Sequence, residues 1–265
     1  MDNWQYKIEI NNFMSLDEIK KYFIISTWSS NKMSNNKDNV NVDGNGNLQL
    51  IVSNNGTINS SGFFTKNNDI LYGSFRIGTK ITSISGTCFS LFYYDNKLSQ
   101  TSMIDNYTLP GDIHSEIDVE ILSKENKVHY AIHPVRRDIH EVAYNTSVLV
   151  TNPNINLTNN FHEHRFDWYN NSVMFYVDNI FQGNLTSNIP QTSGKLTINH
   201  WSAINSTWTG TPPLTNTYVL IKYINFYYNR TNKSHQISSS SKIKYYFIIN
   251  LLFFPFYLNK IFEYF

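Results

Sequence analysis

The 265-residue chain holds one cysteine, three alanines (Ala131, Ala143 and Ala203) and almost no excess of either charge. A single thiol, Cys88, excludes an internal disulfide framework and any zinc site built from cysteines, and it leaves the redox compartment open. Within the apolar run Cys88-Phe89-Ser90-Leu91-Phe92 it reads as a buried, inert thiol, not a nucleophile. Alanine, the best helix former, is outnumbered by 18 Tyr and 18 Phe, so the chain is expected to be mostly β. With 21 basic and 20 acidic side chains the net charge is +1, too balanced for a protein that finds nucleic acid or an anionic membrane by charge. No nucleic-acid partner is expected.

Long apolar runs are also missing. The stretch Tyr245–Leu258 is interrupted by Asn250 and Pro255 and falls short of the roughly 20 residues that span hydrocarbon. It follows the polar, Ser-rich segment 229–244 and matches a lipid-anchor signal only loosely, so it reads as an accessory extension and not as a membrane anchor. The first 23 residues carry Asp2, Glu9, Asp17 and Glu18 and lack the basic and apolar regions of a secretory signal. The chain holds 37 asparagines, so Asn-x-Ser/Thr sites are near what chance would place and carry no compartment information.

What is present is a series of short β-rich runs, among them Leu48–Val52, Gly73–Thr79 and Thr87–Tyr94, set between Asn, Gly, Ser and Asp clusters. That spacing predicts a β-sandwich or jelly roll of two antiparallel sheets. No repeat of 20–50 residues is visible, against a propeller or solenoid. Ser15-Leu16-Asp17-Glu18 forms a capping box and predicts a short helix before the strand-like Phe23–Trp28. The expected organisation is an N-terminal extension over 1–19, one domain over 20–228, and the polar and apolar tail over 229–265.

Chemistry concentrates in Ser115-Glu116-Ile117-Asp118-Val119-Glu120-Ile121-Leu122. As a strand, this places Glu116, Asp118 and Glu120 on one face and the aliphatic residues on the other. Adjacent carboxylates raise one another's pKa, an expense that a merely solvated strand seldom incurs. At about 3.3 Å per residue, Glu116 and Glu120 have Cα atoms about 13 Å apart, and side chains leaning together bring the carboxyls to roughly 5–6 Å. That is the separation for retaining hydrolysis of a glycoside: one carboxylate as nucleophile, one carboxylic acid as proton donor, and Asp118 between them holding their pKa values apart.

The alternation resembles the Glu-hydrophobe-Asp-hydrophobe-Glu motif of glycoside hydrolase family 16, the concanavalin-like jelly rolls that include lichenases, β-1,3-glucanases and wall transglycosylases. With no extra residue between Asp118 and Glu120, it looks like the lichenase and transglycosylase branch. Tyr72-Gly73-Ser74-Phe75, Phe92-Tyr93-Tyr94, Phe161–Trp168, Phe175–Asn179, Asn199-His200-Trp201 and Trp208-Thr209-Gly210 are similar to further family segments, in the same order. The resemblance implies Glu116 as nucleophile, Asp118 as assisting acid and Glu120 as general acid/base. It implies sugar contacts at Phe92, Tyr94, Asn199, Trp201 and Trp208, where aromatic rings suit the C–H faces of a pyranose.

The departures from the lichenase pattern bear on recognition. His114 stands where lichenases have a stacking Trp, and Ala131 and His133 stand where they have Asn and Tyr. His114 and His133 are read as polar sugar contacts. Convergence of His114, His129 and His133 on a metal is the weaker reading, and no metal or cofactor is expected. Lys222 takes the place of the Asp that holds a structural calcium in lichenases. The expected activity is a retaining endo-β-glucanase acting on β-1,3/β-1,4-linked glucan, as a monomer and, by resemblance, outside the cell or at its surface. A glucan transglycosylase and a non-catalytic glycan-binding module are the alternatives; intact Glu116 and Glu120 speak against the second.

Overall fold

Burial alternates along most of the chain, and that two-residue period turns the aromatic and branched residues into strands with one face inward. The computed structural model describes residues 4–29, 34–95, 103–104, 107–108, 115–133 and 146–231. In order these form β1 (Tyr6–Ile10), α1 (Asp17–Tyr22), β2 (Phe23–Ile25), β3 (Ser34–Asn35), β4 (Val40–Val42), β5 (Leu48–Asn54), β6 (Ile58–Thr65), β7 (Ile70–Lys80) and β8 (Cys88–Asp95). Then come β9 (Met103–Ile104), β10 (Tyr107–Thr108), β11 (Ser115–Leu122), β12 (Val128–His133), β13 (Ser147–Thr151), β14 (His162–Trp168), β15 (Val173–Val177), β16 (Ile180–Leu185), β17 (Lys195–Trp201) and β18 (Thr217–Arg230). His114, the chain beyond 231 and most of the Asn96–Ile113 stretch lie outside the described residues. No helix among the described residues is long and apolar enough to cross a membrane.

Pairing runs β13-β12-β11-β8-β17-β6-β5-β18-β7-β14-β15-β16, almost wholly antiparallel. The ladder folds over at β5, which pairs with β18 through Leu48–Val52 and with β6 through Ser53 and Asn54. Its two halves stack face to face as a jelly-roll sandwich. Tyr130 of β12 lies 4.3 Å from Phe175 of β15, centroid to centroid, and Tyr93 of β8 lies 4.4 Å from Trp168 of β14. These rings are fully buried and sit in one core shared by both halves. Tight aromatic stacking of this kind adds about 0.5–1.5 kcal/mol per pair beyond simple burial.

The predicted helix forms with Leu16 at its N-cap, and the capping box forms in part: the Ser15 backbone N–H and hydroxyl both donate to Glu18 Oε2 at 3.0 Å, while Ser15 Oγ accepts from Asp17 N–H. One boundary differs from the sequence expectation. β1 pairs along its length with β18, and Ile8, Ile10, Phe13 and Ile19 enter the core, so residues 6–19 of the segment read as an extension over 1–19 pack within the sandwich. The physical reason is that Ile8 and Ile10 alternate with polar neighbours and need an apolar face to cover them. At the other end β18 continues through Arg230, whose guanidinium pairs with Asp69 at 2.7 Å.

Candidate active site

Register fixes where the acids go. Ile117, Val119 and Ile121 of β11 are at most 1% exposed, and a one-residue slip would bury three carboxyls in their place. Glu116, Asp118 and Glu120 therefore share the opposite face, with β8 on one side and β12 on the other. Opposite them on β8 stand Tyr94, Phe92 and Ser90; on β12 stand His133, Ala131 and His129. The next strand beyond β8 adds Lys195, Thr197 and Asn199 of β17 to the same rows.

Of the residues the sequence singled out, Phe92, Tyr94, His133 and Asn199 thus share one face with the acids. Trp201 and Trp208 are only 3% and 6% exposed and close, with Cys88, Leu122 and Ala203, a small second core at the Glu120 end. Asn199 Oδ1 is buried and has no hydrogen-bond partner among the described residues.

The electrostatics separate the acids. Burial pushes the Asp118 carboxyl well above the usual range, and the charges of Glu116 and Glu120 push it further. A hydrogen bond to Glu116 acts in the same direction. Asp118 Oδ2 also lies 3.2 Å from His133 Nε2, while His133 Nδ1 lies 3.2 Å from Thr146 Oγ1. Glu120 is pushed up to about 7, chiefly by burial and in part by Glu116; hydrogen bonds from Ser90, Cys88 and Trp208 oppose the rise. A carboxyl near 7 can give a proton and take it back near neutral pH.

Two neighbours, Ser90 and Cys88, were not picked out as site residues by sequence reasoning. Ser90 donates to Glu120 Oε1 at 3.1 Å, and Cys88 Sγ approaches the same oxygen at 3.5 Å. His129 faces Glu120 across the strands, its ring edge-on to Trp208 at 4.8 Å and its Nε2 2.8 Å from Glu125 Oε1. The available signal was alternation, which puts Cys88 and Ser90 on the Phe92 and Tyr94 face of β8, as it had already put His129 on the His133 face of β12.

Glu116, Asp118 and His133 each bring a ligand-type atom within 4.8 Å of the others. The calcium position implied by the lichenase resemblance does not suit that ion: Lys222 places its ammonium 5.7 Å from the Phe161 ring centre, where calcium needs oxygen.

Comparison with known proteins agrees with this geometry. The model for glycosyl hydrolases family 16 matches residues 27–225. A β-glucanase of Paenibacillus polymyxa is 27% identical over 218 residues, covering 76% of this chain and 84% of that protein. One from Bacillus licheniformis is 28% identical over 158 residues, covering 57% of this chain and 58% of that protein. Among solved structures, the Bacillus licheniformis β-glucanase superposes with a TM-score of 0.67 at 20% identity, over 86% of this chain and 99% of that one. The catalytic domain of an endo-1,3-β-glucanase from Thermotoga petrophila gives 0.67 at 17% identity, over 88% and 100%. With the family match running from before β3 into β18 and enclosing the whole acid strand, the chain belongs to glycosyl hydrolases family 16.

Proposed function

We propose that this protein is a retaining endo-β-glucanase that hydrolyses β-1,3/β-1,4-linked glucan through a covalent glycosyl-enzyme on Glu116. The observation that carries the reading is the arrangement on β11: three carboxyls on one face, of which burial pushes Glu120 up to about 7 and Asp118 well above its usual range. In the first step Glu116 attacks the anomeric carbon while Glu120 gives its proton to the departing glycosidic oxygen. In the second, Glu120 takes a proton from water, whose oxygen displaces Glu116 and regenerates the carboxylate. Asp118 holds a proton against Glu116 in the free enzyme. As the bond to sugar forms, the charge on Glu116 disappears and that hydrogen bond weakens; it strengthens again as Glu116 departs as a carboxylate, which lowers the cost of the second step.

The surroundings support a sugar chain. Phe92 and Tyr94 offer half-buried rings beside the acids, and the unpartnered Asn199 Oδ1 can accept from a hydroxyl. Solved relatives include a Bacteroides ovatus family 16 protein in complex with a glucan product. The related glucanases act on polysaccharide, which supports a place of action outside the cell. Proton NMR of the first product released from mixed-linkage glucan tests the mechanism: retention gives the β-anomer first, and an α-anomer at early times overturns it. Glu116→Gln should lower kcat by at least about 10³-fold while the fold survives, equivalent to about 4 kcal/mol of barrier. A variant that keeps a tenth of the activity would remove Glu116 from the role.

A further inference from the structure

Beneath Glu120 lies a donor arrangement that the mechanism above does not use. Cys88, fully buried at the start of β8, has its Sγ 3.5 Å from Glu120 Oε1 and 3.5 Å from Ser90 Oγ. Ser90 Oγ is 3.1 Å from the same Glu120 oxygen, and Trp201 Nε1 is 3.3 Å from Ser90 Oγ. An indole N–H can only donate, so Ser90 accepts from Trp201 and its own hydrogen is free for Glu120. Burial pushes the Cys88 thiol well up, so it keeps its hydrogen and stays a donor at any working pH. Cys88 Sγ also lies 3.5 Å from the Phe89 carbonyl oxygen, and when its one hydrogen is turned to Glu120 it joins that of Ser90 on one oxygen of the acid/base.

Resting on the reading of Glu120 as acid/base, we propose that Cys88 and Ser90 are positioning residues that engage Glu120 Oε1 and leave Oε2 as the oxygen that carries the transferable proton. A proton on Oε1 would face two donors at close range, and both would have to turn away. With Oε1 committed as acceptor in both protonation states, the proton leaves from Oε2 to the glycosidic oxygen and returns there from water. The other groups facing Glu120 are Glu116 and Asp118 along β11, the Trp208 indole, and His129 on β12. His129 is tied to Glu125, and Lys124, whose Nζ donates to Thr207 O, lies next along the chain. Of these the Trp208 indole is a further donor to Glu120.

The test separates donation from packing. Cys88→Val keeps apolar volume and removes the donor; Cys88→Ser keeps a donor and loses apolar volume. The readout is the basic limb of the kcat/KM profile on β-glucan, since donors favour ionised Glu120 and hold that limb down. Cys88→Val should move it up by about half a pH unit and Ser90→Ala by about one unit, while Cys88→Ser leaves it in place. On an aryl glycoside with an activated leaving group, which needs little protonation, the variants should match wild type within about twofold. A valine variant with an unmoved limb, or a serine variant shifted as far as valine, would overturn the proposal. Should Cys88→Val fail to fold, the Ser90→Ala limb decides alone. Glu120→Gln keeps the two failures apart: if it still hydrolyses glucan, the acid/base assignment falls, whereas an inactive Glu120→Gln with unmoved limbs refutes only the positioning role.

Discussion

Acid should destabilise this fold through two buried histidines that are not on the catalytic strand. His164 is 1% exposed, and neither ring nitrogen has a partner among the described residues; burial pushes its pKa down to about 3. His200 is fully buried with Nδ1–H donating to the Leu50 carbonyl at 3.0 Å, and burial pushes it down to about 4. Both are neutral in the folded state, whereas in the unfolded chain they titrate near 6.5. Above 6.5 neither state binds the proton and there is no effect. As pH falls below 6.5 the unfolded chain takes up protons that the folded one refuses, and stability is lost until the folded pKa is reached. Between about pH 7.5 and 5 each histidine costs about 2 kcal/mol, or about 4 together.

Glu120 acts in the opposite sense. Its folded pKa lies above the unfolded value of 4.5, so its ionisation destabilises the fold at high pH and lowering the pH relieves the strain. Over the same window that returns about 2 kcal/mol and masks half of the loss. The wild-type curve alone is therefore uninformative, and a difference must be measured. Urea unfolding of wild type and His164→Phe at both pH values gives it: packing changes from the larger ring cancel, and the variant should be about 2 kcal/mol less sensitive to acid. Equal pH sensitivity in the two proteins would refute the assignment of His164 as a buried neutral base.

Other outcomes follow from the site. Glu120→Ala should lose most activity on glucan yet keep it on substrates with good leaving groups; added azide should then yield a β-glycosyl azide, and an α-product would refute retention. The basic limb of kcat/KM for the wild-type protein should fall near pH 7, and a limb above pH 9 would mean that Glu120 is not the titrating acid. Chelator should leave the melting temperature unchanged within about 2 °C if Lys222 stands where the lichenase resemblance implies a calcium-binding Asp; a fall of 5 °C reversed by calcium would contradict that.

Much of the site is legible because its determinants are local. A period of two places Glu116, Asp118 and Glu120 on one face whatever the rest of the fold does; the runs at Leu48–Val52 and Gly73–Thr79 fall within β5 and β7, and Thr87–Tyr94 coincides with β8 except for Thr87. What was missed depends on register between distant strands. Nothing near Cys88 reveals that Glu120 will stand beside Ser90, two positions along the same face. The pairing of β1 with β18 likewise leaves no trace in either segment alone. Trp201 and Trp208 show the limit of reading rings as sugar platforms, since most of their surface is spent on covering Cys88 and Leu122.

The pairing of Tyr6 with Tyr228 and of Ile10 with Ile224 has a kinetic meaning. β1 precedes every other described strand along the chain, and its partner β18 is the last of them. Until β18 emerges, β1, β5 and β7 lack the neighbour that joins all three. Closure therefore waits for nearly the whole domain to be synthesised, and the nascent chain carries open strand edges throughout, the condition under which β proteins fold slowly and aggregate.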